Sequence, residues 1–199
     1  MVVAAKRCLR YLKGTQRYGL TYWSSWMQEG VLTACPTDPI AGWTDADWAG
    51  EQDTRKSTAG ILLLCNGTAV SWSSRTIKTV ALSSQDAEYM ALSDGSREIV
   101  FIRGVFELLG FKLEPTRLHG DNNGSLAVSK NPMAHQKTKH IAVRYHYVRQ
   151  TITEGQVNVV KVSTTEQLAD LLTKALPTSQ HQILTNRVSG GGWGGGTHS

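Results

Sequence analysis

Four carboxylates in this chain fall where a regular element begins or ends, and together they define a chemistry. Asp45 lies in Gly42-Trp43-Thr44-Asp45-Ala46-Asp47-Trp48-Ala49-Gly50, which reads as a β-strand closed off by glycine. A period of two puts residues 43, 45 and 47 on one face, so Asp45 and Asp47 point the same way. Like charges side by side repel and aspartate is a poor strand former, so a hard cation is the obvious relief. Glu88 falls in the first turns of a predicted helix, Asp121 ends a predicted strand, and Asp170 sits among Leu168, Leu171 and Leu172. Each has an ordinary reading as well: an acidic turn, a helix-dipole partner, a helix cap, a surface position between buried ones. Brought together, the four cannot all ionise without cations, and an all-oxygen set lacking cysteine favours Mg²⁺ or Mn²⁺ over zinc. Two such ions about 3.5–4 Å apart would clamp the attacking and leaving oxygens of a phosphodiester displacement.

The elements that must position these acids follow from local pattern. Residues 2–13 carry apolar and basic positions at helical spacing, with Lys6, Arg7, Arg10 and Lys13 on the wet side and Gly14 as a stop. Residues 18–23 read as a strand, followed by a loose stretch to Ile40. Thr58 to Cys65 and Thr68 to Ser74 are β-rich runs separated by Asn66-Gly67, whose tolerance of positive φ predicts a type I′ hairpin. Ser83-Ser84-Gln85-Asp86 is a capping signature opening a helix to about Leu109, with Ala87, Ala91, Gly95, Ile102, Phe106 and Leu109 as its buried stripe and Glu88 at the core edge. A strand over 116–121 runs into a helix over about 123–129. Then come a cationic helix from Thr138 to Ile152, a strand from Val157 to Val162, and a helix capped by Thr164 or Thr165 that contains Asp170. The order β-meander, α, β, α, β, α predicts a mixed sheet with helices on its faces.

Composition narrows the class. The 199 residues, 40% hydrophobic, support one domain of moderate size plus appendages, with no apolar run of membrane-spanning length and no visible signal peptide. Cys8, Cys35 and Cys65 are an odd set without a CxxC pair, which argues against a disulfide framework or zinc site and for a reducing compartment. A net charge of +5 and a pI near 9.2 suit a polyanionic partner.

The run 42–50 with Arg55-Lys56-Ser57-Thr58-Ala59-Gly60 resembles the ribonuclease H domain of copia-type LTR retrotransposon Pol polyproteins. The likeness continues through Val70-Ser71-Trp72-Ser73-Ser74, Ala81-Leu82-Ser83-Ser84-Gln85-Asp86-Ala87-Glu88-Tyr89 and His119-Gly120-Asp121-Asn122-Asn123. It ends with Thr138-Lys139-His140-Ile141-Ala142-Val143-Arg144-Tyr145-His146 and Gln167-Leu168-Ala169-Asp170-Leu171-Leu172-Thr173-Lys174. The resemblance implies an α/β, ribonuclease H-like mixed five-stranded sheet, an antiparallel meander plus parallel strands, with helices on both faces. It divides the chain into a reverse transcriptase tail and linker (1–39) and the ribonuclease H-like domain (40–177); the C-terminal tail that remains (178–199) is expected to be disordered from 189 by its Gly-rich composition. It implies hydrolysis of the RNA strand of RNA–DNA hybrids, with two Mg²⁺ ions (Mn²⁺ as substitute) on Asp45, Glu88, Asp121 and Asp170. Asp45 would bridge both ions, Glu88 and Asp121 would complete one site and Asp170 the other, while Asp47 is a neighbour. Asp86 departs from the family's usual Glu, and Gly120-Asp121-Asn122-Asn123 from a more common Cys-Asp-Asn-Gln; neither removes a ligand.

Expected hybrid contacts are Arg55, Lys56, Ser57, Asn122 and Asn123 on loops beside the acids, with Lys139 and Arg144 on a second cationic face and His140 as a candidate for proton transfer. The expected partner besides the hybrid is a reverse transcriptase domain of the parent polyprotein, and the expected location is intracellular, in a cytoplasmic virus-like particle or the nucleus. Two other readings stand beside this one: a non-catalytic nucleic-acid-binding or connection-like module, and an integrase or transposase on the same superfamily fold.

Overall fold

The computed structural model describes residues 2–22, 27–28, 31–32, 38–48, 50, 56–78, 81, 83–121 and 139–190. The predicted helix over 123–129 lies outside them. In chain order the elements are α1 (Val2–Gly14), β1 (Met27–Gln28), β2 (Val31–Leu32), β3 (Ile40–Asp47), β4 (Thr58–Cys65), β5 (Thr68–Thr76), α2 (Ser84–Leu108), β6 (Thr116–Gly120), α3 (Lys139–Thr153) and β7 (Val157–Lys161). A 3-10 turn (Thr164–Glu166), α4 (Asp170–Thr173) and α5 (Thr178–Val188) follow.

Asn66 and Gly67 adopt φ of 50° and 80°, so the β4–β5 hairpin turns as their residue types require. The main sheet has the order β5-β4-β3-β6-β7, antiparallel through the meander and parallel for β3–β6 and β6–β7. Alternation along β4 splits its leucines between two cores. Leu63 packs with Tyr89, Met90, Ile99, Leu118, Tyr145 and Val148 under α2 and α3. Leu62 and Leu64 pack with Leu168, Leu184 and Val188 under the C-terminal elements. Both faces of the sheet are therefore covered, as an α/β mixed sheet with buried central strands demands. No helix among the described residues is long and apolar enough to cross a membrane.

Several sequence expectations change. Residues 18–22 form no strand. Their backbone is held instead by single contacts, Thr21 N–H to the Ser189 carbonyl at 3.0 Å and the Thr68 hydroxyl to the Thr21 carbonyl at 2.7 Å. The apolar side of α1 is not packed: Val3, Leu9 and Leu12 are exposed. The α2 stripe holds at Ala87, Ala91 and Gly95 but ends before Leu109, which is exposed because the helix has by then run past the sheet. The predicted helix from Thr164 breaks into the 3-10 turn and the single-turn α4. Residues 178–188 form α5, with Leu184 fully buried.

Candidate active site

The acids meet where β3 outruns its neighbour. The β3–β6 ladder pairs Ala41 with Arg117 through Trp43 with His119, then stops. Continuing that parallel register by two residues sets Asp121 beside Asp45, and the strands part at that point. Side chains take over the backbone groups that the ladder leaves: Gln167 Nε2 donates to the Thr44 carbonyl at 3.0 Å, and the Ala46 N–H donates to Glu88. A carboxylate at the end of a parallel strand, where neighbouring strands diverge, is the position in which open α/β sheets place ligand groups.

Glu88 reaches this gap from the first turns of α2. Ser83 caps that helix, accepting from the Asp86 N–H at 3.1 Å. Ala87 and Ala91, with Ala46 and Ala59, form a small-residue cluster that lets the helix start lie close to the sheet. Glu88 is consequently buried at 9% exposure rather than standing at the core edge. Carboxylate oxygens of Asp45, Glu88 and Asp121 lie within 4.8 Å of one another. The electrostatics reflect that crowding. Burial first, then the charges of Asp45 and Asp121, push Glu88 up to about 9 despite the opposing bond from Ala46. Asp121, half-buried, is raised by burial and then by Asp45.

Asp170 arrives on the opposite face, as the first residue of α4, buried at 2% exposure. It is not within the three-acid cluster; its link to Asp45 runs through Lys174. Lys174 Nζ lies 2.8 Å from Asp170 Oδ1 and 3.3 Å from Asp45 Oδ1. The Thr173 hydroxyl donates to Asp45 Oδ2. Burial raises Asp170 against the bond from Lys174. Burial lowers Lys174, but its bond to Asp170 and the charges of Asp45 and Asp170 outweigh that and hold it above the usual lysine range. α4 sits this close because its partner in the sheet is Gly60, directly opposite Asp45 in the β3–β4 register. A Cβ there would lie 2.8 Å from Thr173 Cγ2 and 3.0 Å from the Ala169 carbonyl oxygen.

The other candidate residues divide. Asp47 shares Asp45's strand face, yet its carboxylate folds against Gly50 and takes no part in the cluster. Lys56 is exposed. Ser57 is buried at 5% exposure and its carbonyl accepts from the Ile77 N–H, so it belongs to the frame rather than to an exposed contact surface. Arg144 donates to Asp94 at 2.8 Å and to the Met90 carbonyl at 3.3 Å, and Arg97 and Arg75 also face Asp94. Arg55, Asn122 and Asn123 lie outside the described residues, as do the side chains of Lys139 and His140. Sequence reasoning carried Gln167, Thr173 and Lys174 only as members of a motif and gave none of them a role. The signal for Thr173 and Lys174 was their spacing from Asp170, three and four residues on, which is one helical turn.

Three carboxylates with oxygens within 4.8 Å of one another, with no thiolate or imidazole among the described ligands, suit a hard divalent cation. The raised Glu88 fits the same conclusion: burial and the charges of Asp45 and Asp121 outweigh the opposing charge of Lys174, and a cation there would favour the ionised carboxylate.

No protein-family model matches the chain. Over 186 residues it is 38% identical to the retrovirus-related Pol polyprotein from transposon TNT 1-94 of Nicotiana tabacum, and 37% identical to that from transposon RE1 of Arabidopsis thaliana. These alignments take in 93% of the chain but only 13% and 12% of the relatives, so the chain spans about an eighth of their length. Among solved structures it is similar to LC11-RNase H1 isolated from compost, with a TM-score of 0.51 at 17% identity, covering 68% of this chain and 93% of that one. That likeness is one of fold.

Proposed function

This chain is homologous to one segment of the retrovirus-related Pol polyproteins of plant transposons, and from that premise we propose that it is the ribonuclease H of a copia-type element, cutting the RNA strand of RNA–DNA hybrids. The observation that carries the reading is the convergence of Asp45, Glu88 and Asp121 from three separate elements onto one point, with Asp170 behind Asp45. Divalent ions held there would activate the attacking water and stabilise the departing oxygen. Asp45, nearly dry at 1% exposure, is the acid common to both halves of the centre. Glu88 and Asp121 close the half nearest β6, and Asp170 closes the half under α4.

The surroundings suit a polyanion. Arg75, Arg97 and Arg144 converge on the single carboxylate of Asp94, and Lys78 lies in the same depression, so that rim carries excess positive charge. With Lys56 it offers phosphate contacts, to which Arg55, Asn122, Asn123 and Lys139 add by their place in the sequence. His140 is assigned to proton transfer or product departure on the same ground.

A labelled RNA–DNA hybrid tests the proposal. The expected result is Mg²⁺-dependent scission of the RNA strand alone. Retained hybrid binding without scission, in Mg²⁺ and in Mn²⁺, would replace the nuclease with a binding module.

A further inference from the structure

The acidic centre is not electrostatically uniform. Its Asp45/Glu88/Asp121 half has no ammonium or guanidinium at ion-pair distance from Glu88 or Asp121 among the described residues. Its Asp45/Asp170 half is already bridged by Lys174, which touches one oxygen of each buried carboxylate. Thr173 takes the second oxygen of Asp45, so the end of α4 engages both. Lys174 is held there by geometry. It directly follows the one-turn helix, and its own N–H bonds the Asp170 carbonyl at 3.1 Å, setting the side chain one turn from Asp170. The side chain remains 36% exposed, so its flexible four-carbon stem has a way out to solvent.

We propose that Lys174 is the resident counter-cation of the Asp45/Asp170 half, which a divalent ion enters only by displacing the ammonium, so that the two halves load in a fixed order with Asp45/Glu88/Asp121 first. The inference rests on the reading of these acids as a metal centre. An incoming ion at the Asp45/Asp170 half must break two charge-assisted contacts before gaining its own. At the other half only Asp45 is engaged by Lys174, and neither Glu88 nor Asp121 has an ammonium at ion-pair distance among the described residues. Metal-free, the ammonium also keeps two nearly dry carboxylates from facing each other unpaired, which is costly in a protein interior. Lys174 is thus a positioning residue acting through Asp45 and Asp170.

The test is Mn²⁺ titration of the full chain without nucleic acid, read by calorimetry and by the electron paramagnetic resonance signal of free Mn²⁺. It is run on the wild type, Lys174→Met, Lys174→Gln and Lys174→Arg. The wild type is expected to show two affinities separated by about tenfold or more. Lys174→Met and Lys174→Gln are expected to close that gap by strengthening the weaker site, and Lys174→Arg to keep it. Without metal, the two uncharged variants are expected to melt below the wild type, the difference vanishing at saturating Mn²⁺. Should one uncharged variant fail to fold, the other carries the same expectation. Two unchanged affinities in an uncharged variant would overturn the role of Lys174 and leave the metal centre standing. Absence of Mn²⁺ binding in the wild type and both uncharged variants would overturn the metal centre and this inference with it.

Discussion

Gln167 donates from Nε2 to the carbonyl of Thr44, 123 positions earlier in the chain, in a fully buried contact of 3.0 Å. Its Oε1 accepts from the Ala169 N–H at 3.3 Å, so one amide ties the end of the β3–β6 ladder to the segment that presents Asp170. Gln167→Ala leaves the Thr44 carbonyl buried and unpaired, a loss of about 1–3 kcal/mol. Chemical denaturation is expected to show it. Mn²⁺ binding is expected to weaken as well, since Asp170 loses its anchor; an unchanged affinity would show that Gln167 supports the fold alone.

Asp45→Asn removes the one carboxylate shared by both halves of the centre. Hybrid cleavage is expected to disappear while the fold, judged by circular dichroism, persists. Full activity in this variant would refute the site assignment.

Glu88 gives the metal-free protein a definite dependence on pH. Its folded-state pKa, up near 9, lies above the unfolded value of 4.5, so the folded state binds more protons between the two. Its contribution is fully present below pH 4.5 and is lost as pH rises toward 9. Asp121 and Asp170 are raised too and act with the same sign. Melting temperature in a chelator is expected to fall across that window, and Glu88→Gln is expected to flatten the fall. Because an ion needs the ionised carboxylate, Mn²⁺ binding at pH 7 is also expected to release protons, detectable as buffer-dependent heat.

Gly60 is the contact point through which α4 approaches the sheet. Gly60→Ala forces a methyl against Thr173 Cγ2 and the Ala169 carbonyl, at an expected cost of about 1–3 kcal/mol. Displacing α4 moves Asp170 and Lys174 away from Asp45. The expected outcome is a selective loss at the weaker of the two Mn²⁺ sites, measured by the same titration as for Lys174.

Where the determinant was local, the sequence was a good guide. Asn66-Gly67 located the hairpin because both residues favour positive φ, and Ser83 located the start of α2 because its hydroxyl caps the third residue. Residues whose environment is set from afar were harder. Glu88 looked peripheral because a helical stripe describes only one helix, whereas its burial comes from β3 passing over the helix start. The helix around Asp170 was overextended because its true organiser, the Gln167–Thr44 bond, joins distant positions that no local periodicity connects. α5 has only a weak apolar pattern, with Leu184 and Val188 as its buried pair, and so left little trace to read.

The clasp between Thr21, Thr68 and Ser189 has an architectural consequence. It ties the segment that follows α1 to the end of α5 at one corner, beside the β4–β5 turn. Asp45 lies five residues along β3 from Ile40, the partner of Cys65 at that turn, a span of about 16 Å. The tie between Thr21 and Ser189 therefore sits toward the opposite end of β3 from the acids, so it holds the two segments together without crowding the site.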